Sequence, residues 1–280
     1  MTTAILYVVS TPIGNLQDLT PRAIETLNRV DLIAAEDTRH SGRLMQHFAI
    51  STPMIALHDH NERQRAQSLV QKLSEGQSIA LISDAGTPLI SDPGYHLVSA
   101  VREAGYQVVP VVGPCALIAG LSVSGLATDR FSFYGFLPAK GSGRRQQLQQ
   151  LERITHTQVF YESPHRIVAT VDDIVSVMGA DRRLVLAREL TKTFETVYGA
   201  KASEVQAWLA ADHNQQKGEF VVLLEGAEPE QLQEIGPEEE RILTLLLAEL
   251  PIKKAATITA SMTGHKKKAL YDRALVLQGK

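Results

Sequence analysis

The residues of this chain best placed to do chemistry gather in loops that follow short apolar runs. Ser10-Thr11-Pro12-Ile13-Gly14-Asn15-Leu16 comes directly after the first such run, Ile5–Val9. Ligand loops of α/β folds sit at the carboxyl ends of strands, so its position alone makes it a candidate. A second stretch, Ile82-Ser83-Asp84-Ala85-Gly86-Thr87-Pro88-Leu89-Ile90-Ser91-Asp92-Pro93-Gly94, holds two glycines and two prolines. A backbone made irregular in this way exposes amides and carbonyls that can hold a polar, zwitterionic ligand without charged side chains. Neither stretch contains G-x-G-x-x-G, nor G-x-x-x-x-G-K followed by Ser or Thr, so no pyrophosphate or triphosphate cradle is evident. S-adenosylmethionine offers matching groups: an amino-acid end, ribose hydroxyls and adenine edges, with no phosphate.

Charged residues cluster beyond these loops. Glu36-Asp37-Thr38-Arg39-His40 and His58-Asp59-His60-Asn61-Glu62-Arg63 are expected at the mouth of a cleft, with Glu162-Ser163-Pro164-His165-Arg166 and Arg188-Glu189-Leu190-Thr191-Lys192 approaching from the opposite wall. Asp37, Glu162 and Glu189 are the candidate proton acceptors, and each could equally be a structural ion pair with Arg39, Arg166 or Arg188. The base stays unassigned among the three. A metal reading of His58, Asp59 and His60 is disfavoured, because neighbouring residues point to different sides of the chain and no matching Cys or His cluster exists elsewhere. No metal is expected. Gly141-Ser142-Gly143-Arg144-Arg145, with Lys140 before it, reads as a flexible basic loop suited to phosphate contact.

The elements that must position these groups alternate between apolar runs and amphipathic stretches. In the first half the order is Ile5–Val9, Pro21–Arg29, Leu32–Ala35, His40–Phe48, Gln64–Glu75, Ser78–Ser83, Tyr95–Ala104 and Val108–Val112. That alternation predicts a mostly parallel sheet with crossover helices. After Gly113-Pro114, the run Cys115 to Leu126 is rich in small residues and predicts a tightly packed helix. Strand-like runs at Ser132–Phe136, Gln158–Tyr161, Leu184–Arg188, Thr196–Tyr198 and Phe220–Leu224 alternate with helical patterns at Arg144–Arg153, Ile167–Met178 and Ser203–Ala211. Thr196–Tyr198 and Phe220–Leu224 lie near each other without a strong crossover signal, which predicts antiparallel members in this sheet. Residues 226–237 read as a polar linker, followed by three helix-sized segments, Glu238–Glu249, Lys253–Met262 and Lys266–Leu277. The fold class expected is α/β: one α/β domain over 1–112, a second over 113–227, and a helix-turn-helix-like module over 236–280.

Composition sets the outer limits. The chain has 280 residues, 44% hydrophobic and 21% charged, the balance of a globular protein with room for two cores. A single cysteine, Cys115, allows no intrachain disulfide, no secretory signal is read at the N-terminus, and the apolar runs are strand-sized. The expected compartment is the cytoplasm, with no membrane partner. Net charge is −3 but unevenly spread. Residues 251–280 hold seven Lys or Arg against Asp272 alone, and the remainder holds 21 basic against 30 acidic residues. Lys266, Lys267 and Lys268 make that tail the natural phosphate-binding part.

The strings VVSTPIGNLQDLTPRA, AAEDTRHSGRL, SDAGTPLISDPG, YGFLPAKGSGRR, FYESPHRI and RELTKTFE, with the turn Gly113-Pro114-Cys115-Ala116, resemble the tetrapyrrole methylase superfamily. The superfamily likeness covers residues 5 to about 225, and the match to those of its members that methylate ribosomal RNA extends through the tail. The resemblance implies two α/β domains with S-adenosylmethionine in the cleft between them, a homodimer, and a decoding-centre cytidine 2′-hydroxyl of small-subunit ribosomal RNA as acceptor, within an assembled or partly assembled subunit. Methyl transfer of that kind needs alignment and help in removing one proton. Carried over by position, the cofactor-binding residues are Pro12, Asp84, Gly86, Leu89, Ile90, Ser91, Cys115, Ala116, Tyr161, Leu190 and Gly218. Cys115 stands where relatives often have Ser, and is read as a packed small residue rather than a nucleophile. The implied RNA contacts are Arg39, His58, Lys140, Arg144, Arg145, Arg166, Lys192, Lys266, Lys267 and Lys268. Two other readings compete: a superfamily methyltransferase acting on a tetrapyrrole or a protein side chain, and a metabolite-sensing DNA-binding regulator that reads duplex DNA with its tail.

Overall fold

A computed structural model describes residues 4–58, 60–228 and 235–278 of the chain. Contacts divide it into two compact units, Met1–Gly226 and Ala227–Lys280. The first unit contains both sheets.

Its first sheet is built from β1 (Ile5–Val9), β2 (Leu32–Ala35), β3 (Met54–Ala56), β4 (Ile79–Ile82) and β5 (Gln107–Val111), in the order β3-β2-β4-β1-β5. Every pairing is parallel. Parallel strands need helical crossovers, and these are α1 (Pro21–Arg29), α2 (Thr38–His47), α3 (Glu62–Ser74) and α4 (Tyr95–Glu103). Period-two geometry explains why β2 and β4 are apolar at every position. Leu32, Ala34, Ile79 and Leu81 face α3 and α4 in one buried cluster, while Ile33, Ala35, Ala80 and Ile82 face α1 and α2 in another. Helix starts are capped from sequence-specific positions: Thr20 accepts the Ala23 N–H ahead of Pro21, and Asp37 accepts from Arg39 and His40. Helix α4 begins after Gly94, which offers no capping side chain, and the buried Glu62 carboxylate of α3 takes the His96 and Leu97 N–H groups instead.

The second sheet comprises β6 (Phe131–Phe136), β7 (Thr157–Glu162), β8 (Arg183–Arg188), β9 (Thr196–Lys201) and β10 (Phe220–Leu224), in the order β6-β7-β10-β8-β9. Antiparallel members are present: β10 runs against both β7 and β8, and β8 against β9. The two runs that signalled this, β9 and β10, are not themselves paired, because β8 lies between them. The Arg188 guanidinium fixes this arrangement by donating to the carbonyls of Phe194, Asn214 and Lys217, so the segments before β9 and β10 hang from β8. One face of the sheet packs on α6 (Gly141–Leu151), α7 (Ile167–Met178) and α8 (Ala202–Ala211) around Phe160, Leu186 and Val222. The alternate residues, Val159, Val185, Ala187 and Val221, pack on α5 (Ala116–Val123) and on Ile13 and Ile90 from the first half.

The segment 141–145 is not a flexible loop. It forms the first turn of α6, and the Arg144 guanidinium is buried against Asp173 of α7 at 2.7 Å, with Arg145 3.0 Å from the same carboxylate. Desolvated charge of this kind must stay paired, so Arg144 is a structural residue and not a phosphate contact.

In the second unit, α9 (Pro237–Glu249), α10 (Ile252–Thr263) and α11 (Lys267–Leu277) close around Leu243, Ala255, Ala256, Leu270 and Ala274. Helix α10 ends on Gly264 in the left-handed region, φ +77°, which turns the chain into α11. Arg273 of α11 pairs with Glu240 of α9. Part of the sequence-read linker, residues 229–234, lies outside the described residues, as do Asp59 and Lys280.

Candidate active site

The connections after β1 and β4 leave the first sheet toward opposite faces, α1 on one side and α4 on the other, so a crevice opens between their carboxyl ends. Thr11 and Gly86 bridge it with two backbone hydrogen bonds, Thr11 N–H to Gly86 O at 2.8 Å and Gly86 N–H to Thr11 O at 3.0 Å. The Thr87 hydroxyl lies 2.9 Å from the Ser10 hydroxyl and donates to the Pro114 carbonyl at 2.9 Å. Three loops, after β1, β4 and β5, are thereby fastened into one wall.

Facing that wall is the second sheet, and between them lies a cavity of about 290 Å³. From the first half Ile13, Ala85, Thr87, Ile90, Ser91 and Asp92 line it, joined by Cys115 and Ala116 at the start of α5. Phe136, Tyr161, Glu162, Ser163 and Pro164 form one flank of the opposite wall, and Ala187, Glu189, Leu190 and Lys192 with Glu219, Phe220 and Val221 form the other. Both walls use left-handed backbone at residues other than glycine: Leu89 and Ser91 at φ +74° and +67°, Glu189 and Thr191 at +50° and +66°. Non-glycine residues adopt this region only when their surroundings impose it, and such positions concentrate at ligand clamps. Gly135, φ +64°, sits at the β6 irregularity, where a Cβ would stand 3.2 Å from the Ser91 hydroxyl. The bulge lets the two walls approach.

Of the expected cofactor residues, Ile90, Ser91, Cys115, Ala116, Tyr161 and Leu190 line the cavity. Pro12, Gly86 and Leu89 do not, but belong to its fastened loops, and Leu89 packs into the α3–α4 core. Asp84 is displaced from the cavity altogether. Its carboxylate accepts the Asp37 N–H at 3.1 Å while its own N–H donates to Glu36, tying β4 to β2. Gly218, φ +88°, is also absent from the lining, and its function is steric: a Cβ there would meet the Glu189 side chain at 2.3 Å. Tyr161 reaches from β7 to the adjoining start of α5, where its hydroxyl accepts the Leu117 N–H at 3.0 Å, a side-chain acceptor at that helix's N-terminus. Burial pushes its hydroxyl pKa up, reinforced by the neighbouring Cys115 thiol, so it is neutral.

The three carboxylates are not equivalent. Asp37 lies outside the lining, where the Arg39 side chain and the Arg39 and His40 N–H groups hold its pKa down to about 2. Glu162 lines the cavity but is buried with both oxygens engaged, Oε1 by Arg166 and the Ser163 N–H, Oε2 by the Thr170 hydroxyl at 2.7 Å. Its partner is Arg166, as the sequence allowed, which takes the Arg166 guanidinium out of use as a free phosphate ligand. Glu189 pairs with Lys192 at 2.8 Å rather than with Arg188, and its Oε1 also accepts the Glu219 N–H at 3.0 Å. Burial pushes the Glu189 carboxyl up, but these donors outweigh it and hold it below the usual carboxylate range. For Lys192 burial lowers the ammonium pKa, and the Glu189 and Glu219 carboxylates more than restore it.

Of the remaining residues expected to touch RNA, Arg39, His58 and Lys140 are exposed, Arg145 is half-exposed, and Lys266, Lys267 and Lys268 are exposed at the start of α11. Among the described residues no group of three or more His, Cys, Asp or Glu could hold a metal ion, and no helix is long and apolar enough to cross a membrane. Sequence reasoning missed Phe136, Ala187 and the run Glu219–Val221. The last two read only as core strand, and the one available signal was Gly218 immediately ahead of a charged residue.

The family model described as Tetrapyrrole (Corrin/Porphyrin) Methylases matches residues 5–206, and the one described as RsmI C-terminal HTH domain matches residues 233–278. A protein named ribosomal RNA small subunit methyltransferase I from Escherichia coli O157:H7 is 57% identical over 98% of this chain and 96% of its own length. One of the same name from Pseudomonas aeruginosa is 55% identical over the full length of both. Among solved structures, a diphthine synthase superposes with a TM-score of 0.61 at 14% identity, covering 80% of this chain and 90% of that one. That likeness is one of fold.

Proposed function

Because the chain belongs to the tetrapyrrole methylase family, and resembles proteins named ribosomal RNA small subunit methyltransferase I along nearly its whole length, we propose that it moves a methyl group from S-adenosylmethionine to a cytidine 2′-hydroxyl of small-subunit ribosomal RNA. That it is a methyltransferase follows from the relatives. The single observation that carries the donor assignment is the cavity at the crevice between β1 and β4, walled by loops fastened through their own backbones.

The residues fit a donor without phosphate. The cavity has no glycine-rich nucleotide cradle; on the loop side its polar groups are the Thr87 and Ser91 hydroxyls, backbone and the Asp92 carboxylate, a set suited to an amino-acid end and ribose hydroxyls, while Glu162, Glu189, Lys192 and Glu219 line the opposite wall. Ile13, Ile90 and Leu190 supply the apolar surface against which an adenine would lie. Space near the Gly86 backbone is limited, since a Cβ there would approach the Ile13 side chain to 3.3 Å. When bound, S-adenosylmethionine supplies a methyl group made electrophilic by positive sulfur. The chain's part is to align the acceptor and take its proton.

The acceptor assignment draws on the relatives' names and on charge. Residues 251–280, with seven basic residues against one acid, suit a polyanion better than a small macrocycle or a protein side chain. Assembled or nearly assembled small subunits are the proposed substrate, and the cytoplasm the proposed compartment. The working form is a homodimer, supported by α5, whose sequence is apolar on every side and leaves Ile118 and Val123 more than half exposed, close to an exposed Val112. Incubation with methyl-tritiated donor and small ribosomal subunits tests the function. Label should appear in ribose of the subunit RNA, and label confined to protein or to a tetrapyrrole would overturn the acceptor.

A further inference from the structure

Beside the donor cavity lies a shallower groove of about 560 Å³, lined by Gly14, Asn15, Leu16 and Gln17 from the loop after β1, by His47, and by Thr191, Lys192 and Thr193. Lys192 is the residue common to both linings. Its ammonium bridges Glu189 and Glu219, at 2.8 and 2.9 Å, so it stands where cavity and groove adjoin.

Two glycines on separate segments are shaped around this pair. A Cβ on Gly14 would stand 2.4 Å from Lys192 Cγ, and a Cβ on Gly218 would stand 2.3 Å from Glu189 Cγ. Any other residue at either position would displace one partner. Left-handed backbone at Glu189 and Thr191 holds the same turn from within. Convergent constraint of this sort, from three segments on two side chains, is what a site that must fix a charged group in place requires. Among the carboxylates compared above, Glu189 is the one that both lines the cavity and keeps an oxygen, Oε2, with no hydrogen-bond partner among the described residues.

We propose that the acceptor nucleotide enters through the groove, that Glu189 Oε2 receives the proton of its hydroxyl, and that Lys192 is the positioning residue that holds the carboxylate at the seam. This rests on the methyl-donor reading of the cavity. As the hydroxyl oxygen forms its bond to the methyl carbon, the carbon–sulfur bond breaks, its electron pair stays on sulfur, and the proton passes to Glu189 and then to solvent. A carboxylate suffices, because the hydroxyl becomes acidic as its oxygen bonds to carbon. The groups that set the Glu189 titration are Lys192 and Arg188 from its own strand end and the N–H of Glu219, the residue before β10; the other charged groups on the cavity are the Glu219 carboxylate, Glu162 on the other flank of the same wall and Asp92 on the facing wall.

The sign follows. With Lys192 replaced by Met, burial is opposed only by the Glu219 N–H and by Arg188, so the Glu189 carboxyl titrates at higher pH. The test compares wild type, E189Q, K192M and K192R in three measurements. These are donor affinity by calorimetry, the Glu189 titration by carboxyl-13C NMR with E189Q as assignment control, and the pH profile of methyl transfer to small subunits. E189Q is expected to lose about 10²–10⁴-fold in kcat measured at saturating donor, the calorimetric affinity setting that concentration for each variant. In K192M the NMR titration and the acid limb of kcat at saturating donor should both move to higher pH, and K192R should restore both. Wild-type kcat in E189Q, or an unmoved titration in K192M, would overturn the proposal. Wild-type protein that takes up no donor would instead overturn the reading beneath it.

Discussion

Asp37, Glu162 and Glu189 carry one functional group in three surroundings, and the surroundings decide what each can do. Asp37 caps α2 and pairs with Arg39, Glu162 is buried with both oxygens satisfied, and Glu189 keeps one oxygen open beside a cavity. The sequence placed all three at strand ends and allowed each an arginine partner. It could not rank them, because ranking depends on Lys192 and on two glycines far away in the chain. Arg144 shows the same limit from the other side. Next to Gly-Ser-Gly and another arginine it read as a phosphate ligand, yet it is inside the protein with Asp173, which only the packing of α6 on α7 reveals. Arg144→Ala should therefore lower unfolding free energy by about 3 kcal/mol, at the low end for a broken buried pair because Arg145 remains. Denaturant titration measures it. An unchanged midpoint together with weakened RNA binding would restore Arg144 to the surface.

Helices and strands were legible where their physics is local. Strands buried on both faces are apolar at every position, caps and prolines mark helix starts, and glycines mark ends, so β1, β2, β4 and the three tail helices sit within a residue or two of their sequence-read limits. The neighbours of β9 were not legible, since strand order in a mixed sheet is set by long-range pairing, here of β8 with both β9 and β10. Phe220 and Val221 escaped notice for a related reason: a core strand becomes a cavity wall only once the sheet order brings it opposite the loops. Helix α11 makes a prediction of its own. Lys266, Lys267 and Lys268 crowd the helix N-terminus, where the macrodipole already presents positive charge and lysine is disfavoured. An arriving phosphate would find the lysines and the dipole acting together. Replacing the three by Ala should weaken binding of ribosomal RNA and flatten the slope of log affinity against log salt by about 2, for three lost single-strand phosphate contacts. Filter-binding across a salt series reads this, and an unaltered slope would remove α11 from the RNA interface.

Across the whole molecule, the proposed homodimer rests on the exposed apolar side chains of α5. Ile118→Glu on the exposed side of α5 should turn a dimer into a monomer in sedimentation equilibrium, and a variant that sediments as the wild type does would place the dimer contact elsewhere. Everything else depends on two sheets closing a cavity around a donor. Isothermal calorimetry of S-adenosylmethionine with the wild-type chain and with Gly86→Val tests that most directly, since a valine there would be forced to φ +83°, which its branched side chain disfavours, and would press on Ile13. Saturable binding by the wild type, lost in a folded Gly86→Val protein, is the expected result. No heat of binding to the wild type, with or without small ribosomal subunits present, would contradict it.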